Sequence, residues 1–165
     1  MELDKIDTSI LIELQRNARV SNVELSDAVG LSASACSRRV EQLEKSGVIE
    51  SYNAVISNKA LDQNITAIVH IALDRQTGME MESFEDEVSR CPHIVACFLM
   101  SGEFDYIIRV NAHDMEHFEY IHKEWLSKLP GVSRMISSFS LRTVVNRANI
   151  DVAMMENTRP IEPKG

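Results

Sequence analysis

The spacing of apolar residues changes near residue 50, and few folds accommodate that change. Upstream, every pattern is helical. Ile6, Ile10, Leu11 and Leu14 recur at helical intervals behind Asp4 and Asp7, either of which can cap the helix. Ser21-Asn22-Val23-Glu24 is a capping box, in which Ser21 bonds the Glu24 amide and Glu24 reaches back. Val23, Leu25, Ala28 and Val29 are expected on the apolar side of that short helix, with Gly30 ending it in a left-handed turn. Ser32 then caps a third helix whose apolar side is Cys36, Val40 and Leu43. Gly47 closes this helix, and Val48-Ile49 begins an extended segment that resumes at Tyr52. Two helices of about eight and fourteen residues around a glycine turn make a helix-turn-helix.

Downstream, the order reads strand, helix, strand, strand, helix, strand. Residues 65–73 alternate, with Ala67, Val69, Ile71 and Leu73 on one face. Met81, Phe84 and Val88 form a helix face that stops at Cys91-Pro92. Ile94 to Met100 and Tyr106 to Asn111 are strands joined by the turn Ser101-Gly102-Glu103-Phe104-Asp105. Asp114 caps a helix faced by Met115, Phe118, Ile121, Trp125 and Leu129, ended by Pro130-Gly131, and Val132 to Val145 is a long last strand. Four antiparallel strands with two helices on one face follow, the ferredoxin-like βαββαβ arrangement. Ile68, Ala72, Ile94, Phe98, Met100 and Ile136 make the second face apolar too. Two helices cannot cover both faces, so another copy of the chain is expected on the open one.

The class is therefore α+β: a winged helix-turn-helix domain over residues 1–50, a linker strand and connection over 51–64, a ferredoxin-like domain over 65–148 and a tail over 149–165. Met1-Glu2-Leu3-Asp4 lacks the apolar core of a signal peptide and no apolar run approaches a membrane span, so a cytoplasmic location without membrane association is expected. Cys36, Cys91 and Cys97 match no metal or disulfide spacing and read as small buried hydrophobes, with a redox role at Cys36 left open. There is no nucleophile motif, phosphate loop or paired catalytic carboxylate, which argues against an enzyme. The sheet also lacks the paired surface aromatics that RNA-binding sheets use. His113 and His117 have the spacing of two zinc ligands on a helix, but no third ligand is convincingly spaced, and a solvated helix face explains them as well.

A net charge of −8 opposes nucleic-acid binding. Residues 1–60 hold seven Lys/Arg against nine Asp/Glu, so the helical half is not basic either. Contact with DNA would need a local cluster repeated over several copies. The polar side of the third helix offers one: Ser34, Ser37, Arg38 and, a turn further on, Gln42 and Lys45.

Two runs resemble one family. LDKIDTSILIELQRNARVSNVELSDAVGLSASACSRRVEQLEKSGVIESY is similar to the DNA-binding half of leucine-responsive regulator/AsnC (Lrp/AsnC) proteins, and MSGEFDYIIRVNAHDMEHFEYIHKEWLSKLPGVSRMISSF to their effector-binding half. The resemblance spans roughly residues 2–145, with both motifs in the expected order. It implies a transcription regulator of amino-acid or related metabolism, with double-stranded DNA as partner. It also implies dimers that assemble to octamers or beyond, no cofactor, and a small effector such as an amino acid held between C-terminal domains. Val23 to Gln42 matches the family's DNA motif, with Ser32 on its capping serine and Arg39 on its recurrent arginine. Arg39 is then either a DNA contact or a structural partner of an acid on a neighbouring helix. Ala33 and Ala35 stand where relatives often carry prolines, so the start of the helix and the DNA preference can differ. Gly102-Glu103-Phe104-Asp105 matches the family's Gly-x-x-Asp turn, and Leu99, Met115, Ser138, Phe139 and Ser140 are placed around the same pocket by the resemblance. Asp105 can pair with an ammonium or merely close the hairpin.

Overall fold

The computed structural model describes residues 3–145 and Val152. Except for Val152, the expected tail and the last residues of the expected C-terminal domain lie outside the described residues. The chain divides into two compact units, one built on residues up to Ala54 and the other on Val55–Val144.

The N-terminal unit holds α1 (Lys5–Arg16), α2 (Asn22–Ala28) and α3 (Ala33–Lys45). Asp4, not Asp7, caps α1. Its Oδ1 accepts the Asp7 N–H at 2.8 Å, and Asp7 returns the bond to the Asp4 N–H at 3.2 Å. Ser21 and Glu24 form the same reciprocal pair on α2, with bonds of 3.2 and 3.0 Å. Gly30 has φ +68°, and a β-carbon added there would meet nothing within 4 Å. Its backbone conformation alone therefore demands glycine. Ile10, Leu25, Cys36 and Leu43 are fully enclosed, rimmed by Ile6, Leu14, Val29, Leu31 and Val40.

Two expectations need correction here. Val23 is 62 % exposed. It sits two residues from Leu25, roughly 200° around the helix, so both cannot face one core. No strand follows Ile49: residues 50–57 form neither helix nor strand, because no described strand pairs with them. Tyr52 instead donates to Glu44 at 2.9 Å. Cys36 is buried and its thiol is pushed up by that burial, which disfavours the reactive thiolate and leaves it a core residue.

The C-terminal unit holds β1 (Ile65–Leu73), α4 (Gly78–Arg90), β2 (Ile94–Leu99), β3 (Tyr106–Ala112), α5 (Met115–Glu124) and β4 (Val132–Phe139), with short 3-10 turns at Asn58–Leu61 and Leu126–Lys128. The strands are antiparallel in the order β2-β3-β1-β4. This is the expected ferredoxin-like topology. Ala67, Val69 and Ile71 of β1 and Tyr106, Ile108 and Val110 of β3 face the helices and are buried with Phe84, Val88, Phe118 and Ile121. The Phe84 and Tyr106 rings meet at 4.5 Å, and Phe118 meets Phe139 edge-on at 4.9 Å.

The other face carries Ile68, Ala72, Phe98, Ile107 and Ile136, by register with one another. Phe98 is 58 % exposed and Ile136 45 %. Ile94 does not join them; it packs on the helix-side core, because a register shift separates it from Ala96. Cys97 is exposed rather than buried, since it lies on edge strand β2. The last strand stops at Phe139, six residues short of the expected Val145, where pairing with β1 ends at Ala67. α5 also ends before Leu129, at Glu124, and a 3-10 turn completes the path to Gly131.

The caps make the N-terminal unit acid-sensitive. Asp4 is held below its usual pKa by the Asp7 N–H and then by Arg39, and Glu24 by the Ser21 N–H and hydroxyl. A carboxyl whose folded pKa is depressed stabilises fully above its ordinary value, and that contribution is lost as pH falls through the folded one. Helical circular dichroism should therefore report weakening below about pH 4. The variant Asp4→Asn, which still caps, should flatten the dependence; an unchanged slope would show that these caps do not set it.

Candidate DNA interface and effector site

Ser32 caps α3 through a 3.3 Å bond from the Ala35 N–H, so the helix begins as expected without the prolines. Ser34, Ser37, Arg38 and Gln42 are all exposed along it. Lys45 is held by Glu41 at 2.6 Å, which neutralises the C-terminal end of the face. Arg38 has no ion pair among the described residues, so its guanidinium is open to an anion.

Arg39 is placed otherwise. Its Nη1 lies 2.7 Å from Asp4 Oδ2 and 2.7 Å from Asp7 Oδ1. These bonds, to Asp7 first and Asp4 second, strengthen its hold on the proton. Both acids belong to the capping box of α1. One guanidinium thus fastens the start of α1 to the middle of α3. Between the alternatives open for Arg39, the geometry favours the structural one. Sequence spacing could not decide this, because the partners lie 35 and 32 residues away.

In the C-terminal unit the expected effector residues separate into two groups. Gly102, Glu103, Phe104 and Asp105 precede β3, whereas Met115 follows it. The seven residues of β3, at about 3.3 Å each, put roughly 20 Å between the groups. The Asp105 carboxylate accepts the Leu73 N–H at 2.7 Å and the Gln76 amide at 2.6 Å, and its own N–H donates to Ile71 O at 2.9 Å. It locks the β2–β3 turn to the end of β1. Glu103 pairs with Arg134 at 2.7 Å; that guanidinium lies 4.6 Å over the Phe104 ring, and Phe104 meets His70 at 5.2 Å. The turn therefore folds back towards β4. Gly102 has no left-handed φ, and a β-carbon there would meet nothing within 4 Å, so one chain by itself gives no reason for glycine.

At the other end a groove of about 520 Å³ lies between α5 and β4. Met115, Phe118 and Phe139 give it an apolar floor, and Glu116, Glu119, His122 and Ser137 line it with polar groups. Met115 and Phe139 meet there as expected. Ser138 and Ser140 do not line it. The pleat turns alternate residues to opposite faces, so Ser137, not its neighbour, shares the side of Phe139. Leu99 is exposed on edge strand β2, two strands from β4, and is also outside the groove. The sequence reading missed Glu116, Phe118, Glu119, His122 and Ser137. Period-two alternation could have given Ser137, and helical spacing from Met115 gives Phe118, Glu119 and His122, though not Glu116.

A helix-turn-helix with an open arginine, joined to a ferredoxin-like unit with a ligand-sized groove, defines a ligand-responsive DNA-binding regulator. Comparison with known proteins agrees. Residues 3–50 match the model for winged helix-turn-helix DNA-binding domains, and residues 66–150 that for the Lrp/AsnC ligand binding domain. The leucine-responsive regulatory protein of Escherichia coli is 41 % identical over 132 residues, 80 % of each chain. An HTH-type transcriptional regulator of Sinorhizobium fredii is 46 % identical over 117 residues, 71 % of this chain and 92 % of that one. A transcriptional regulator of Neisseria meningitidis, solved as a complex with L-Met, superposes with a TM-score of 0.86 at 33 % identity, covering 93 % of this chain and 99 % of that one. The chain belongs to the Lrp/AsnC family of transcription regulators, a family of non-enzymes, and has a DNA-binding and a ligand-binding domain. No described helix is long and apolar enough to cross a membrane.

The two arginines should respond differently to removal. Arg38→Ala should weaken DNA binding and lower its salt dependence, by about one unit of log–log slope per lost phosphate contact, while leaving thermal stability unchanged. Arg39→Ala should lower the stability of the N-terminal unit first, because it leaves Asp7 without its cation. Retardation assays over a salt series, run beside thermal melts, separate the two. Equal effects of both variants on both measurements would contradict this division.

Proposed function

We propose that this chain is a sequence-specific transcription regulator of amino-acid or related metabolism, working as a dimer or larger assembly whose effector is an amino acid bound between C-terminal units of neighbouring copies. One observation carries the reading: the two groups of candidate effector residues lie at opposite ends of one sheet, about 20 Å apart by strand length. A ligand the size of an amino acid touches both only if they come from different copies. The unoccupied glycine position at Gly102 fits this arrangement, since a neighbouring molecule can approach its backbone closely. So does the open apolar sheet face, which a second copy would remove from water.

The groove suits such a ligand. Its volume falls within the usual range for small-molecule sites. Met115, Phe118 and Phe139 can take an apolar side chain such as that of leucine or methionine, and Glu116 or Glu119 an ammonium. Amides of a neighbouring Gly102 turn would meet the carboxylate. The names of two relatives, a leucine-responsive protein and one complexed with L-Met, point to the same ligand class. Assembly also answers the charge problem, because weak contacts from several copies of Arg38 add up on one DNA molecule.

Thermal unfolding against a panel of L-amino acids, followed by light scattering, tests this. A true effector at about 100 times its dissociation constant should add roughly 2.7 kcal/mol to native stability. The shift should shrink in Phe139→Ala and should come with a change in, or a requirement for, assembly. A ligand that stabilises a persistently monomeric protein would sink the shared site.

A further inference from the structure

The backbone of the turn between β2 and β3 is fixed at its ends. The Met100 N–H donates to Asp105 O at 2.8 Å, and the Asp105 N–H to Ile71 O at 2.9 Å. Between these bonds, among the described residues, the amides of Ser101, Gly102, Glu103 and Phe104 donate to no backbone carbonyl. Side chains hold this stretch instead, and they converge on one residue of β4. Arg134 Nη2 donates to Glu103 Oε1 at 2.7 Å, and the same guanidinium lies 4.6 Å from the centre of the Phe104 ring. That ring is half-buried and also meets His70 of β1 at 5.2 Å. Arg134 stands opposite Ala72, and Ile136 opposite His70, so all four lie on the sheet face away from the helices.

We infer that Arg134 is a positioning residue for this turn: by gripping Glu103 and Phe104 it orders the unbonded amides around Gly102 for the carboxylate of an effector. The inference rests on the reading of the turn as one half of an effector site shared between copies. Glu103 and Phe104, expected to touch the effector, then act through the turn that carries Gly102. Arginine suits the task because its guanidinium is planar. Its edge bonds a carboxylate while its face lies on a ring, and a lysine ammonium does not combine the two. Pairing also neutralises Glu103. Left free, that charge beside Gly102 would repel an incoming carboxylate.

The grip matters for order more than for stability. The Arg134 and Glu103 side chains are 50 % and 73 % exposed, and an exposed ion pair adds little to the stability of a fold. The hairpin itself is secured elsewhere, by the Asp105 carboxylate on the Leu73 N–H and the Gln76 amide. Removing Arg134 therefore frees residues 101–104 without opening the strands. A turn that must be ordered when the ligand arrives binds it more weakly than one already in place.

Two measurements on the full chain test this. Chymotryptic cleavage after Phe104, followed by mass spectrometry without any ligand, reads the freedom of the turn. Calorimetry with L-leucine and L-methionine reads binding, with light scattering to follow assembly. In R134Q, cleavage should be about fivefold faster and binding about fivefold weaker, the combined scale of an exposed ion pair and an exposed cation–π contact. The melting temperature and the assembled mass should not change. R134K, which keeps the ion pair alone, should fall between R134Q and the parent. E103Q should shift both readings the same way, and E103Q/R134Q should be no worse than R134Q, because the two residues act as one unit. Cleavage in R134Q at the parent rate would overturn the proposal. So would a change in assembled mass, which would assign Arg134 to the contact between copies. Phe139→Ala separates the proposal from the reading beneath it. If F139A weakens amino-acid binding and R134Q does not, the proposal fails and the effector site stands. If neither variant alters binding, or the parent binds neither amino acid, the effector reading fails and the proposal with it.

Discussion

The pleat of the four-stranded sheet governs most of what the C-terminal unit can do. It assigns every strand residue to one of two faces, and both faces are apolar. Ala67, Val69, Ile71, Ile108 and Val110 are sealed by the helices. Ile68, Phe98 and Ile136 lie on the face away from the helices. The same alternation puts Ser137 and Phe139 in the groove and turns Ser138 away from it. In the proposed assembly a second copy of the chain covers that open face.

The N-terminal unit works on a smaller margin. Among the described residues its enclosed core is Ile10, Leu25, Cys36 and Leu43. Capping boxes and a single bridging guanidinium supplement it, binding the first helix to the third. Adjacent arginines on α3 consequently have different duties. Arg39 turns inward to two acids, while Arg38 has no ion pair among the described residues of a chain whose net charge is −8.

Elements with local causes were legible in the sequence. The Ser21-Glu24 box, the Gly30 turn, the Ser32 cap and the stop at Cys91-Pro92 all appear where residue spacing puts them, because each depends on neighbours within a few positions. Errors arose where the decisive partner was distant or missing. Val23 looked apolar and proved exposed because a seven-residue helix presents one stripe to its core. Tyr52 was expected in a strand, but no described strand pairs with that segment. Ser138 lies on the open face with Ile136, so β4 gives the groove Ser137 and Phe139 instead.

The sequence by itself determined the two-part organisation, the order of helices and strands, the family and the polar face of α3, since periodicity and capping act over one or two turns of chain. Only the tertiary structure decided which of two arginines is spent on folding, that the candidate effector residues lie at opposite ends of a sheet, and that Arg134 meets Glu103 and Phe104. Those facts depend on contacts between segments tens of residues apart. Side-chain charge and hydrogen-bond geometry acquire their roles there only after the backbone has brought the partners together.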